Sequence, residues 1–288
     1  MRNRNGPGLR FLRNCGPGPF FLAAVLTAGC ATTGTGPDAW PPSGARPAEE
    51  LPPIVGGRYE LESRQEVIGE LQVVHSDQED TFVDIARAYG LGYDELIAAN
   101  PTVDPWLPGA DTPVVLPTRF ILPRAPREGL VLNIAAKRLF YYPPAGEGQP
   151  QTVETYPIGI GRAGWATPTG ATTVITKARD PIWYVPASVR REHREAGDPL
   201  PRQVPPGPDN PLGSRVLGLG IPGYLIHGTN KPAGVGMRVS HGCVRLFPEN
   251  IEHLYDRVEI GTPVRIVNQP YLFGRDGDDL LFEAHAPL

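Results

Sequence analysis

The stretch IHGTNKPAGVGMRVSHGCVRL, residues 226–246, reads as two extended segments on either side of a Lys-Pro-Ala-Gly turn at 231–234. If residues 241–245 are extended, alternation puts His241, Cys243 and Arg245 on one face. His227 ends an apolar segment 16 residues before the cysteine and can fold back onto it. A thiol attacks only as its thiolate, and a neighbouring imidazole stabilises that form and can take its proton. Gly242 allows the backbone to approach a substrate closely, and the N–H groups around Gly242 and Cys243 are suited to an oxyanion. Arg245 offers a rigid fork to a carboxylate. On the residues alone, His241 competes with His227 for the role of base.

The flanking sequence is a series of short β segments. Leu130 to Ile134 and Leu139 to Tyr142 suggest a hairpin about Ala136-Lys137, followed by Thr152 to Ile160 and Ala171 to Ala178, with turn chemistry at Thr167-Pro168-Thr169-Gly170. Ala187 to Glu195 is a short helix, and residues 199–211, with six prolines and no period, form an ordered loop or lid. Ile251, Leu254, Tyr255 and Val258 mark one amphipathic helix face, with Pro248 in its first turn and His253 off the buried side. Val264 to Val267 closes the domain as a strand. The fold class expected is mainly β, a sandwich or mixed sheet.

His227, a spacer, and then Ser240-His241-Gly242-Cys243 resemble the L,D-transpeptidase catalytic (YkuD) family. HGTN, SHGCVRL, PENI and the loop PPGPDNPLG (205–213) resemble its ErfK/YbiS/YcfS/YnhG-like branch. The resemblance covers residues 127–268. It implies Cys243 as nucleophile and His227 as general base, with Ser240, His241 and Gly242 as supporting residues and Arg245 contacting substrate. Gly228 stands where some relatives have Ser, so a backbone carbonyl would have to orient His227. The reaction implied is attack on the L-centre carbonyl of a peptidoglycan tetrapeptide stem, loss of the terminal D-residue, and resolution of the thioester by an amine. That amine belongs to another stem or to a lysine of an outer-membrane lipoprotein. Such chemistry needs no cofactor, and carbapenem β-lactams should acylate the same thiol. A hydrolase on the same scaffold and a non-catalytic wall-binding protein are the alternatives.

Residues 72–117 read as a compact unit. Phe82, Ile85, Ala86 and Tyr89 follow the spacing of a buried helix face, Gly90 ends that helix, and Asp94 can cap a second one holding Leu96 and Ile97. With strands at Gln72 to His75 and Val114 to Leu116, the βααβ order of DTFVDIARAYGLGYDELIAANP (80–101) and VVLP (114–117) resembles a LysM domain, which implies binding to N-acetylglucosamine-containing glycan. A spacer that binds nothing is the alternative.

The amino terminus reads as an export signal over residues 1–30. Arg2, Arg4, Arg10 and Arg13 precede the apolar run FFLAAVL (20–26), and Thr27-Ala28-Gly29-Cys30 resembles a lipoprotein cleavage site with Cys30 lipidated. An ordinary cut near Ala28 or Ala31 is the other possibility. Residues 31–65 read as a flexible tether and residues 269–288 as a tail. These features imply a periplasmic protein held to a membrane by lipid. The net charge of −4 argues against nucleic acid as a partner. Of three cysteines, Cys15 would leave with the signal and Cys30 would carry lipid, so Cys243 is the one thiol of the mature globular part. A lone thiol in an oxidising compartment is either buried and inert or has work to do. No metal site is expected, because His227, His241 and Cys243 lack a fourth ligand at usual spacing.

Overall fold

The computed structural model describes residues 57–288, together with the backbone of a strand at Leu9–Arg13 (β1). Cys30 and the tether up to residue 56 lie outside the described residues. β2 (Arg58–Glu60), β3 (Val67–Gly69) and β4 (Gln72–His75) lead into α1 (Phe82–Ala88), α2 (Tyr93–Ala99), β5 (Pro113–Leu116) and β6 (Arg119–Ile121). There follow β7 (Gly129–Asn133), β8 (Arg138–Tyr142), β9 (Thr152–Pro157), β10 (Ile160–Gly161), β11 (Gly170–Arg179), β12 (Trp183–Tyr184) and α3 (Ala187–Glu195). The chain continues through β13 (Gln203–Val204), β14 (Arg215–Leu219), β15 (Leu225–His227), β16 (Arg238–Ser240), β17 (Val244–Arg245) and α4 (Pro248–Tyr255). It closes with β18 (Pro263–Val267), β19 (Tyr271–Asp276) and β20 (Asp279–Ala284).

The fold is mainly β, organised on a nine-stranded mixed sheet in the order β17-β15-β14-β11-β18-β7-β8-β9-β2. The ten-residue β11 is its pivot. Residues 170–173 pair with β18, whereas Val174 and residues 176–179 pair with β14, and the register breaks between Val174 and Thr176. One strand thus serves two ladders, and the sheet turns over on itself there. The enclosed core takes Leu130, Leu132, Leu139, Tyr141 and Tyr156 from one side and Leu217, Leu219, Ile226 and Val244 from the other, with Ile251 and Leu254 of α4 between them.

The alternate residues of the same strands face a second core. Val131, Phe140, Tyr142 and Val153 pack against Phe82, Ile85, Leu91, Leu96, Val114 and Leu116 of the α1–α2 unit. β7 and β8 are therefore buried on both faces, which is why their sequences are apolar without alternation. The α1–α2 unit covers the outer face of the main sheet, and polar side chains tie it down. Arg138, buried beneath it, forks onto Glu95 at 2.6 and 3.1 Å and lies over the Phe120 ring. Arg87 forks onto Glu249 of α4 at 2.8 Å through both nitrogens. The backbones of Gly92 and Gly236 touch, so that a Cβ on Gly236 would lie 2.3 Å from the Gly92 Cα.

Local chemistry accounts for the elements of that unit. Thr81 and Asp84 form a capping box at the start of α1. Gly92, rather than Asp94, is the N-cap of α2. Glu95 reaches back to accept the Gly92 N–H at 2.9 Å, which frees Asp94 to pair with Lys137 at 3.1 Å. β4 and β5 pair antiparallel, giving the βααβ order read from the sequence. Two expectations are corrected. Arg58–Glu60, placed in the tether, is an edge strand on β9. Residues 269–288, placed in a tail, contain the β19–β20 hairpin, whose Leu272 and Leu281 pack on Val67 and Ile121.

Candidate active site

Strand pairing builds the site. β15 lies between β14 and β17 and is parallel to β17, with Ile226 opposite Val244 and His227 opposite Arg245. Paired residues of a ladder share a face, so His227 and Arg245 point the same way. Cys243 immediately precedes β17, at the end of a bend, and its thiol is close enough to Arg245 to feel the guanidinium charge. The intervening chain turns through a short 3-10 helix at Pro232–Gly234 and returns as β16, which pairs with β10.

His227 is buried, and its Nδ1 lies 2.6 Å from the Gly228 carbonyl oxygen, with the Leu212 carbonyl as a further partner. The carbonyl that Gly228 requires in place of a serine is therefore supplied by Gly228 itself. Burial, aided by the Arg245 charge and opposed by the two carbonyls, pushes the His227 pKa down to about 3. At neutral pH the ring is uncharged, with its proton on Nδ1 and its lone pair on Nε2. Burial raises the Cys243 thiol above its ordinary value, while a backbone bond from Leu225 and the Arg245 charge pull the other way. The sulfur lies 3.7 Å from the Gly223 carbonyl oxygen. Both groups are therefore uncharged near neutral pH.

The turn that carries the thiol is braced from inside. Ser240 Oγ donates to the Cys243 carbonyl oxygen at 2.5 Å and accepts the Gly242 N–H at 3.1 Å. That bond engages, within the protein, the Gly242 N–H that the sequence offered to an oxyanion. Glycine is required here for a different reason. Its φ is +103°, and a Cβ would stand 2.9 Å from the Tyr224 ring. Thr167, which the sequence suggested only as part of a turn, accepts the Gly161 N–H at 3.0 Å and donates to the Gly242 carbonyl at 2.8 Å. The Nε of Arg245 is buried without a hydrogen-bond partner among the described residues, and the half-buried side chain feels the charge of the ionised thiol.

His241 is turned toward α3. Its Nε2 lies 3.1 Å from Glu192 Oε2 on α3 and 3.1 Å from Arg162 Nη2, and its ring meets the edge of Trp165 at 4.8 Å between centroids. Arg162 and Glu192 are themselves ion-paired. Nothing local in the sequence signals this cluster: Glu192 lies 30 residues after Arg162, and His241 lies 79 residues after it. His253, expected in solvent, instead lies 2.8 Å from the Tyr156 hydroxyl, which donates to the buried Glu154. Glu154 is also paired with Arg257 at 2.6 Å, so α4 offers a polar edge to the core that the helix spacing did not reveal. No group of three or more His, Cys, Asp or Glu side chains among the described residues is placed to hold a metal ion.

Comparison with known proteins adds the family. Residues 127–266 match the L,D-transpeptidase catalytic domain (YkuD). The chain is 44% identical over 205 residues to the probable L,D-transpeptidase ErfK/SrfK of Salmonella typhimurium, covering 70% of this chain and 65% of that one. It is 44% identical over 209 residues to the probable L,D-transpeptidase YcfS of Escherichia coli, covering 71% and 64%. It is 40% identical over 226 residues to the probable L,D-transpeptidase YbiS of Escherichia coli, covering 77% and 72%. The chain thus spans a little under two thirds of the length of the first two relatives.

Proposed function

Since this chain belongs to the L,D-transpeptidase family, we propose that it transfers the acyl group of a peptidoglycan tetrapeptide stem through a thioester on Cys243. The observation that supports the reading is the parallel β15–β17 register, which sets the neutral His227 opposite Arg245, two residues after the half-buried Cys243. His227 Nε2 takes the thiol proton as sulfur attacks the L-centre carbonyl carbon. The Cys243 N–H replaces Gly242 as the backbone donor to the oxyanion. The C–N bond to the terminal D-residue breaks, its nitrogen takes the proton from His227, and the amino acid leaves. An acceptor amine then attacks the thioester, gives its proton to His227, and sulfur departs to recover it. Arg245, whose buried Nε has no hydrogen-bond partner among the described residues, binds a stem carboxylate.

The lipid on Cys30, the periplasmic location and glycan retention by the α1–α2 unit complete the proposal. Of these, retention has a structural feature behind it: a cavity of about 180 Å³ bounded by Val74, His75, Asp80, Ile85 and Tyr89. Purified protein incubated with tetrapeptide stems, with and without an acceptor amine, tests the reaction by mass spectrometry of the products. Crosslinked product with loss of a terminal D-residue is expected. Release of the D-residue alone, with no amide formed to the acceptor, would assign a hydrolase instead.

A further inference from the structure

Three side chains outside the motif converge on its histidine. Glu192 projects from α3, the helix flanked by β12 and the proline-rich loop. Arg162 follows β10, and Trp165 sits in the turn after it. Each reaches His241, through the distances given above, and Arg162 also pairs with Glu192. His241 Nε2 faces an acceptor and a donor at the same distance of 3.1 Å. A neutral Nε2 accepts from Arg162, and a protonated one donates to Glu192. The ring is therefore held in either state, and its orientation does not depend on which is present.

We propose that Glu192 is a positioning residue for the acyl transfer: it latches α3 to His241 and thereby fixes the backbone turn that carries Cys243. This rests on the reading of Cys243 as nucleophile. The physical chain is short. His241 is joined to the thiol residue through Gly242 alone, whose φ of +103° sets the direction in which the chain enters Cys243. Ser240 and Thr167 pin the turn from the protein interior. On its outer side, His241 is held by Arg162, Trp165 and Glu192. Of these, Glu192 alone comes from α3, so it ties the position of that helix to the turn that carries the thiol. The Arg162–Glu192 pair is more than one-third exposed on both sides, which makes it a latch that opens and closes at little cost to the fold.

The test compares wild type, Glu192→Ala and Glu192→Gln in the full chain, using a carbapenem as acyl donor and intact-protein mass spectrometry to follow the adduct. Three quantities are read: the saturating acylation rate, the half-saturating concentration and the urea midpoint. Glu192→Ala should lower the saturating rate at least fivefold while the midpoint stays put, and trypsin should cut faster after Arg191 or Arg194 on α3. Glu192→Gln keeps an oxygen for Arg162 and gains an amide donor for the neutral imidazole, so it should restore most of the rate. A wild-type saturating rate in Glu192→Ala overturns the proposal. So does a loss that tracks a fall in the midpoint and is not rescued by Gln. If wild type itself forms no adduct, the reading of Cys243 fails first, and the two failures are told apart by that control.

Discussion

Replacing Glu95 by Ala tests whether the α1–α2 unit is a separable module or part of the catalytic fold. The Arg138 side chain is 1% exposed and Glu95 10%, so the pair is desolvated and its Coulomb term is little screened. With Glu95 gone, the guanidinium keeps only Thr155 Oγ1 at 3.2 Å, the Gly90 carbonyl at 3.3 Å and the Phe120 ring. Breaking a buried pair by removing one partner costs about 3–5 kcal/mol. The same carboxylate caps α2 through Gly92 N–H, which adds about 1 kcal/mol. A total of roughly 4–6 kcal/mol is a large part of the ~5–15 kcal/mol that holds a typical domain. Urea unfolding should therefore show the whole chain shifting in one transition, with the catalytic sheet losing stability alongside the α1–α2 unit. Asp256→Ala is the control: it breaks an ion pair with Arg179 that is 59% exposed on both sides and should cost under about 1 kcal/mol. A Glu95→Ala loss no larger than that control, or a first transition confined to the α1–α2 unit while acylation persists, would refute the shared-core argument.

Three further outcomes are expected. The folded His227 pKa of about 3 lies below the ordinary 6.5, so on acidification the unfolded chain takes up this proton first. The contribution of neutral His227 is whole above pH 6.5 and falls by about 1.4 kcal/mol per pH unit from there toward 3; His227→Gln should flatten that part of the slope in urea midpoints taken at pH 7, 5 and 4. Thr167→Val leaves the Gly161 N–H and the Gly242 carbonyl without their shared partner, and calorimetry should register about 1–3 kcal/mol of lost stability. Arg245→Lys keeps the charge and loses the fork, so stem turnover should fall roughly tenfold, on the order of 1.4 kcal/mol of transition-state binding.

The legible parts of the sequence were those set by local rules. α3 begins and ends at the residues expected, and the hairpin of β7 and β8 turns at Lys137 in a left-handed conformation. His227 and Arg245 meet across a parallel pair, β15 and β17, with β16 and the turn at 231–234 as the crossover between them, so the two extended segments were legible but their parallel pairing was not. What escaped notice depends on distant partners. The Asp94 cap was displaced by Glu95, whose carboxylate also answers a charge 43 residues away. The unbroken apolar runs at β7 and β8 did carry a signal: strands buried on both faces need a cover, and the α1–α2 unit supplies it. The tail hid a hairpin whose Asp276-Gly277 turn, with Gly277 at φ +58°, sits between Leu272 and Leu281. The engagement of the Gly242 N–H by Ser240 depends on a turn conformation that residue types alone do not specify.

The most direct test of the account is intact-protein mass spectrometry after exposure to a carbapenem, with the adduct mapped by proteolysis. Wild type should gain one acyl mass on the peptide holding Cys243, and Cys243→Ala should gain none. His227→Ala keeps the thiol and loses the neutral acceptor at Nε2, so its acylation should slow by about 10²–10⁴-fold. His241→Ala should be less impaired, since its ring is bonded to α3 and Arg162. A wild-type protein that forms no adduct and turns over no stem, or a fast His227→Ala beside a dead His241→Ala, would contradict the account.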